Sequence, residues 1–401
     1  MPTTPDTIDR TSAAERRRVL LRTVRDVADD LAADAIARDR AGRPPTDEVA
    51  RLREAGLLAA LTPPAPDRGT DWRAGCAVIR RIATADSSIG EVLARHYVHA
   101  WSGRFHASRH QADALEEESA RAQWLWTGAF RALAPDDADA DGPDLTLRPR
   151  DNGHVLNGSR FVDTAVAVAD QIVVDARCAV TGDVLTVLIP PGARGVSIEP
   201  AHDRLGQRVV GAGEVVLDRV TLAPGQVLGR RPDDEESTAP FTALAEPALR
   251  LALCHVGLGI VEGALGEARD LSRGGRAHRL PGTDPDLFLT YGELASAAQT
   301  ATAVVDRATE VMAQALDTGA RLDDEELAGV AALVATAETV TSKAALHITA
   351  RVLELADAPG LDRFWRNARV LTAHHPAAHR LRSIGEHYLN GSHRAVAATF
   401  H

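Results

Sequence analysis

The sequence predicts an α+β protein in three consecutive blocks: an N-terminal helical domain, a central antiparallel β domain and a C-terminal four-helix bundle. Three observations carry this. Apolar residues recur at helical period in the first and last thirds of the chain. Between about residues 145 and 230 the segments shorten, valine dominates and turn dipeptides fall at strand spacing. The chain has 401 residues, 45% hydrophobic and 25% charged, an ordinary globular composition long enough for two or three domains. Boundaries are expected at 1–124, 125–232 and 233–401.

The elements follow in order. Residues 1–10 read as a frayed start, and Ser12 with Glu15 reads as a capping box before a helix carrying Val19, Leu20, Val24, Val27, Leu31 and Ala35. Thr46 to Leu61 is a second amphipathic run, broken by the Pro-rich stretch LTPPAPDRGTDW. Helical patterning resumes from Cys76 to about Ser102 and from His110 to Arg121. In the β block, Asn157-Gly158 between two apolar stretches predicts a hairpin turn. A second strand pair is expected around Gly182-Asp183, then the strand GEVVLDRVTL, with Pro224-Gly225 closing the block. Four long helices follow: about Ala243–Leu271, the stretch around 294–315, Glu325–Leu355 and Ala377–Leu389.

Charge and cysteine content exclude several classes. Lys+Arg 45 against Asp+Glu 56 gives −11, which repels nucleic acid phosphates. Three cysteines, Cys76, Cys178 and Cys254, lie far apart and form neither a disulfide framework nor a metal-binding pair. The N-terminus lacks the apolar stretch of a signal peptide, and no run approaches 18 apolar residues. A soluble, cytoplasmic protein that touches neither membrane nor nucleic acid is the expectation.

Several constellations could carry chemistry. GLGIVEG (257–263) has the wrong spacing for a dinucleotide fingerprint and lies inside a helical pattern, so it reads as close helix packing. His374 and His375 precede Pro376 and His379, but no nearby carboxylate or cysteine completes a metal site, and none is expected. RHYVHAW places Arg95, His96, Tyr97 and His99 at the end of an apolar helix. Arg273, Arg276 and Arg279 surround Gly274-Gly275, a segment suited equally to an anion or to solvent. Trp124, Trp126, Thr127 and Gly128 open the β region with aromatic and hydroxyl groups that suit a flat ring or a plain core.

Taken together, EAGLL (54–58), IATADSSIGEVLARH (82–96), WTG (126–128), VLNGSRF (155–161), LDRFWRNAR (361–369) and HHP…IGEHYLNG (374–391) resemble the acyl-CoA dehydrogenase superfamily over nearly the whole chain. The likeness is to its monooxygenase branch of two-component flavin enzymes, typified by dibenzothiophene monooxygenase. A dehydrogenase needs a carboxylate to remove the proton α to a thioester. No Glu or Asp occurs from Leu371 to Ile384, where the family's base falls, so acyl-CoA oxidation is not expected.

The resemblance implies a monooxygenase that takes reduced FMN from a separate flavin reductase and uses O₂ to oxygenate a small organic substrate. FAD is an alternative cofactor, and hydroxylation, N-oxygenation and S-oxygenation remain open. It implies catalytic roles for His96, Thr164 and His374. It also implies cofactor contacts from Trp126, Thr127, Gly128, Thr164, Arg276 and Arg369, with Arg273 and Arg279 as rivals to Arg276. Tyr97, Ala129, His202 and His375 are the implied pocket wall, and a homo-oligomer, dimer or tetramer, the implied assembly. Departures are visible. Ala129 replaces an asparagine, His202 an aromatic residue, and the segments after Ser272 and before Leu361 are shortened. Those two shortened phosphate loops favour a second expectation, a flavin-free acid–base catalyst for a dehydration or cyclisation that uses His96, His374 and His202.

Overall fold

The computed structural model describes residues 5–62, 72–129, 145–230, 242–276, 285–356, 358–373 and 377–390. Six helices form the first layer: α1 (Pro5–Ala41), α2 (Thr46–Glu54), α3 (Trp72–Ala85), α4 (Ser87–Ala100), α5 (Ser102–His106) and α6 (Arg109–Ala122). Helix α1 starts at Pro5, so Ser12 lies inside the helix and is not its cap; proline has no N–H to lose at a first helical position. The run 46–61 is also cut short, because Gly56 takes φ +71° after α2 and leaves only a 3₁₀ turn over Leu57–Ala59. The predicted helix 76–102 is two helices. Asp86 separates them, its carboxylate accepting from the N–H groups of Ser88 at 3.0 Å and Ile89 at 3.3 Å at the start of α4.

The central block is one eight-stranded sheet of β1 (Trp126–Ala129), β2 (Thr146–Arg150), β3 (Gly153–Val162), β4 (Gln171–Cys178), β5 (Val184–Ile189), β6 (Val196–Pro200), β7 (Gly213–Leu222) and β8 (Val227–Arg230). Its order is β6-β7-β3-β2-β4-β5-β8, with β1 also on β4. The expectation of an antiparallel sheet needs correction. Strands β1 and β2 lie end to end along β4, and both run parallel to it, so the sheet is mixed. The pair β4–β5 around Gly182-Asp183 is antiparallel as expected, and β8 extends the sheet beyond Pro224-Gly225.

Asn157-Gly158 is not a hairpin turn. It sits inside β3 at a bulge opposite β7, where Leu156 faces Val220 and Gly158 faces Leu217. The Asn157 side-chain oxygen accepts from the N–H of Arg219, which itself has φ +52°. The turn is Asp151-Asn152, between Arg150 of β2 and Gly153 of β3, which face each other. Gly153 has φ +142°, and a Cβ there would lie 2.2 Å from the Leu222 carbonyl oxygen.

The last block holds α7 (Ala245–Arg276), α8 (Pro285–Thr318), α9 (Asp324–Leu355), α10 (Asp362–Leu371) and α11 (Ala377–Asn390). Helix α7 is long and apolar enough to cross a membrane by length and composition, yet most of that stretch is buried against other helices. Its glycines explain the packing. A Cβ at Gly259 would sit 2.5 Å from the Ala83 Cβ, and one at Gly263 2.6 Å from the Thr84 carbonyl oxygen. GLGIVEG is thus a helix-packing seam, which shares one core with the N-terminal helices, while the sheet buries its own.

The short helix α10 clamps the layers together. Arg363 pairs with Glu267 on α7, and Arg366 with Asp39 on α1. Asn367 donates to the Ser87 hydroxyl at 2.8 Å and accepts from the Gln207 N–H at 2.7 Å. The side-chain oxygen of Gln207 in turn accepts from the hydroxyls of Ser87 and Ser88. This buried, mutually satisfied network ties the loop after β6 to the start of α4.

Candidate active site

All fourteen residues of α4 are buried, because β1, α3 and α7 surround it. Its histidines close the outer edge of β1. His96 Nε2 donates to the Leu58 carbonyl at 2.8 Å, while Nδ1 accepts the Trp126 N–H at 3.0 Å. That pattern requires the neutral ring, and burial pushes its pKa down to about 4. One turn on, the ring of His99 approaches the Gly128 backbone; burial, with Arg95 and His96 nearby, pushes its pKa down to about 3. Two neutral imidazoles thus cover a strand edge whose other side pairs with β4.

Strand alternation sorts the WTG segment onto two faces. The Trp126 indole N–H donates to the Ser119 hydroxyl at 2.8 Å, and the ring is core, packed with Ala100, Val173, Leu188 and Leu228. Thr127 points the other way, its hydroxyl donating to the Thr164 carbonyl at 2.5 Å, and both threonines are fully buried. At Gly128 a Cβ would meet the Val173 carbonyl oxygen at 2.1 Å, so glycine is needed for β1 to reach β4. Ala129 is half-buried against the sheet core. Thr164 itself sits on the corner after β3, held by the Ala165 N–H on the Val210 carbonyl, with Ala165 at φ +55°.

The remaining expected residues scatter. The Tyr97 hydroxyl donates to the Leu57 carbonyl at 2.8 Å, and burial raises its pKa, so it pins the 57–61 turn. Trp101 does the same through Leu61. His202 is exposed on the segment after β6. On α10, Arg363 and Arg366 are committed to carboxylates. Arg369 is exposed and makes no ion pair among the described residues. Arg276 ends α7, but its side chain, Arg279, His374 and His375 lie outside the described residues, and Arg273 is exposed.

The structure therefore brings Thr127 and Thr164 together, with His96 behind them on the β1 edge. It does not bring Tyr97 or the Trp126 indole to that face. Sequence reasoning passed over Glu91 and Asp163. Arg95 Nε donates to Glu91 at 3.0 Å, and Arg95 Nη1 lies 3.1 Å from Asp163. The signal was present as charges four residues apart inside an apolar helix.

No protein-family model matches the chain. Dibenzothiophene monooxygenase from Rhodococcus qingshengii is 30% identical over 390 residues, covering 92% of each protein. The probable FMNH2-dependent monooxygenase SfnC from Pseudomonas putida is 28% identical over 391 residues, covering 93% of this chain and 95% of the relative. The complex of TdsC from Paenibacillus sp. A11-2 with FMN and indole superposes with a TM-score of 0.85 at 26% identity, over 94% of this chain and 99% of TdsC. Butyryl-CoA dehydrogenase from Megasphaera elsdenii shares the fold alone, at a TM-score of 0.73 and 18% identity over 93% of this chain and 98% of its own.

The class is thus that of flavoenzymes with the acyl-CoA dehydrogenase fold. Within it, the chain belongs to the dibenzothiophene monooxygenase family of flavin-dependent oxidoreductases.

Proposed function

We propose that this chain is the oxygenase of a two-component system, fed reduced FMN by a separate flavin reductase, and that it oxygenates a small organic substrate in the cytoplasm. The observation that carries the reading is the family likeness over nine-tenths of both chains. Reduced FMN, when bound, supplies two electrons for O₂, so that one oxygen atom enters the substrate and the other leaves as water.

The residues present fit such a cofactor. The buried Thr164, fixed by Thr127, provides a hydroxyl for the polar rim of a flat ring in a dry wall. Arg369 is a cation with no carboxylate committed to it among the described residues, as a phosphate contact needs. His96 holds β1, and with it Thr127 and Gly128, against α4. The family resemblance gives His374 the role of moving a proton at the substrate, and Trp126 supports β1 from behind. Ala129, His202 and His375 remain proposed pocket residues. The flavin-free reading loses its main acid–base group, because both ring nitrogens of His96 are occupied by backbone.

The two phosphate arginines point to a shared site. Helix α10 runs against α7 with Leu371 beside Gly257 and Phe364 beside Gly263, so Arg369 sits near the level of residue 259. Arg276 lies 17 residues further along the same helix, roughly 25 Å away at 1.5 Å per residue. One phosphate cannot touch both within one chain. A homo-oligomer in which each chain lends one arginine resolves this. Arg276→Ala and Arg369→Ala should each weaken reduced-FMN binding at least ~10-fold. Refolding the two variants together should restore one intact site per mixed pair, read by anaerobic flavin titration. Unchanged binding in both variants would overturn the assignment of these arginines.

A further inference from the structure

The end of α1, the loop between β6 and β7 and the start of α10 frame a cavity of about 340 Å³. Six charged side chains line it: Asp39 and Arg40 from α1, Arg204 and Arg208 from the loop, and Asp362 and Arg366 from α10. Arg366 joins the three elements. Its Nε donates to Asp362 at 2.9 Å, one Nη to the Leu205 carbonyl at 3.0 Å and the other to Asp39. None of Thr127, Thr164 and Arg369 lines the cavity, so it stands apart from the wall and the arginine assigned to the flavin.

The lining carries more positive charge than it neutralises. Arg366 already engages both carboxylates, while Arg40, Arg204 and Arg208 have no carboxylate partner among the described residues. Four guanidiniums against two carboxylates leave a net +2 on the described lining. Arg208 lies beside Gly42, just past the C-terminus of α1, whose dipole offsets only about half a charge. Two polar atoms of the lining are also unmatched. Asp39 is buried and its Oδ1 has no hydrogen-bond partner among the described residues, and the Nε of Arg204 has none either. A neutral occupant would leave the charge in place, and a carboxylate would cancel half of it. A dianion whose oxygens were all bare would set one of them against Asp39. A phosphate that brings one O–H meets both demands: guanidinium forks take its charged oxygens, and the Asp39 carboxylate accepts from the hydroxyl.

The geometry points to a phosphate-binding site between α1, the β6–β7 loop and α10, in which Arg40, Arg204 and Arg208 hold the dianion and Asp39 accepts from its hydroxyl. That hydroxyl belongs either to inorganic hydrogenphosphate or to the body of a small phosphate monoester, for which the cavity has room. The site meets the proposed active site through one loop. Two residues beyond Arg208, the Val210 carbonyl accepts from the Ala165 N–H at the Thr164 corner at 2.6 Å. An occupant therefore ties the loop behind Thr164 to two helices. The site stands whether or not the chain is a monooxygenase.

The test is calorimetric titration of the purified protein, without flavin, at pH 8 with phosphate, glycerol 3-phosphate and sulfate. Each is chiefly a dianion there, and sulfate alone has no O–H. Phosphate or glycerol 3-phosphate should bind at least about tenfold tighter than sulfate, as expected for a hydrogen bond to a charged acceptor, and the tighter of the two identifies the source. Arg204→Gln and Arg208→Gln, at half-buried positions, should each weaken that binding at least about tenfold. A merely basic surface would take phosphate and sulfate alike. That result, binding of none of the three at millimolar concentration, or unchanged binding in both variants overturns the proposal. The wild-type comparison stands even if a variant fails to fold. Repeating the titration with saturating reduced FMN, and in Arg369→Ala, separates this site from the cofactor's. Unchanged affinity in both supports the proposal. Competition by the flavin, or loss in Arg369→Ala, would make the cavity the cofactor's own phosphate cradle and overturn it. Phosphate binding by a chain that binds no flavin keeps the site and condemns the monooxygenase reading.

Discussion

Replacing His96 with alanine is expected to lower turnover at least ~100-fold, the scale of a lost catalytic group, although the cause here is positional. The ring donates to Leu58 and accepts from Trp126, so its loss uncovers the edge of β1 and frees two buried backbone groups. Thr127 and Gly128 lie on that strand, and Thr127 fixes the corner that carries Thr164. With a pKa near 4, His96 remains neutral from pH 5.5 to 8 and contributes no inflection to the rate there. The conservative variant separates the two roles. His96→Gln retains a donor and an acceptor, so a positioning role predicts partial recovery with an unaltered pH profile. A proton-transfer role predicts no recovery and the disappearance of an inflection near pH 6.5. Kinetics of the three proteins across pH 5.5–8 decide between them.

Acid should destabilise the folded chain steeply. Burial depresses His96 to about 4 and both His99 and His255 to about 3; His255 Nε2 is also bonded to Thr309 at 2.8 Å. The unfolded rings keep their ordinary value of about 6.5. Below that pH the unfolded state takes up protons that the folded state refuses, so stability falls as pH drops from 6.5 towards 4. Above 6.5 the contribution is fully present. Each ring costs about 1.4 kcal/mol per pH unit in this window, so three cost about 4 kcal/mol per unit and about 6 kcal/mol by pH 5. That rivals the whole stability of a typical domain. Urea midpoints measured at pH 8, 6.5 and 5 should be nearly level between the first two and collapse at the third. His255→Asn should reduce the slope by roughly a third. Level midpoints down to pH 5 would contradict the buried neutral state of these rings.

Much of the architecture is visible in periodicity, because long helices such as α8 and α9 need a continuous apolar face. Boundaries were less legible where two signals compete. Ser12 has cap chemistry, but Pro5 already starts the helix. Asn152-Gly153 and Asn157-Gly158 carry the same hairpin signature, and only the pairing of β3 with β2 and β7 puts one at the end of the Asp151-Asn152 turn and the other at a bulge. The parallel pairing of β1 to β4 depends on a strand of four residues whose partner lies over forty residues away, which no local pattern encodes.

The site was legible through resemblance more than through chemistry. The Thr127 hydroxyl meets the Thr164 carbonyl, a contact the sequence did not reveal, whereas the Tyr97 hydroxyl and the Trp126 indole bond the Leu57 carbonyl and the Ser119 hydroxyl, because helix phase and strand alternation direct them there. Glu91 escaped notice because a Glu–Arg pair at helical spacing reads as a solvated face until the fold shows every residue of α4 buried.

The central claim is that the chain binds reduced FMN and uses it to oxygenate. The direct measurement is an anaerobic titration of the purified protein with reduced and oxidised FMN and FAD. ¹⁸O₂ is then admitted in the presence of indole or dibenzothiophene. The account predicts saturable binding of reduced FMN, tighter than that of oxidised FMN, and one labelled oxygen atom in each product molecule. Failure of every flavin form to bind at millimolar concentration would contradict it, and would leave a flavin-free chemistry on an inherited flavoenzyme fold.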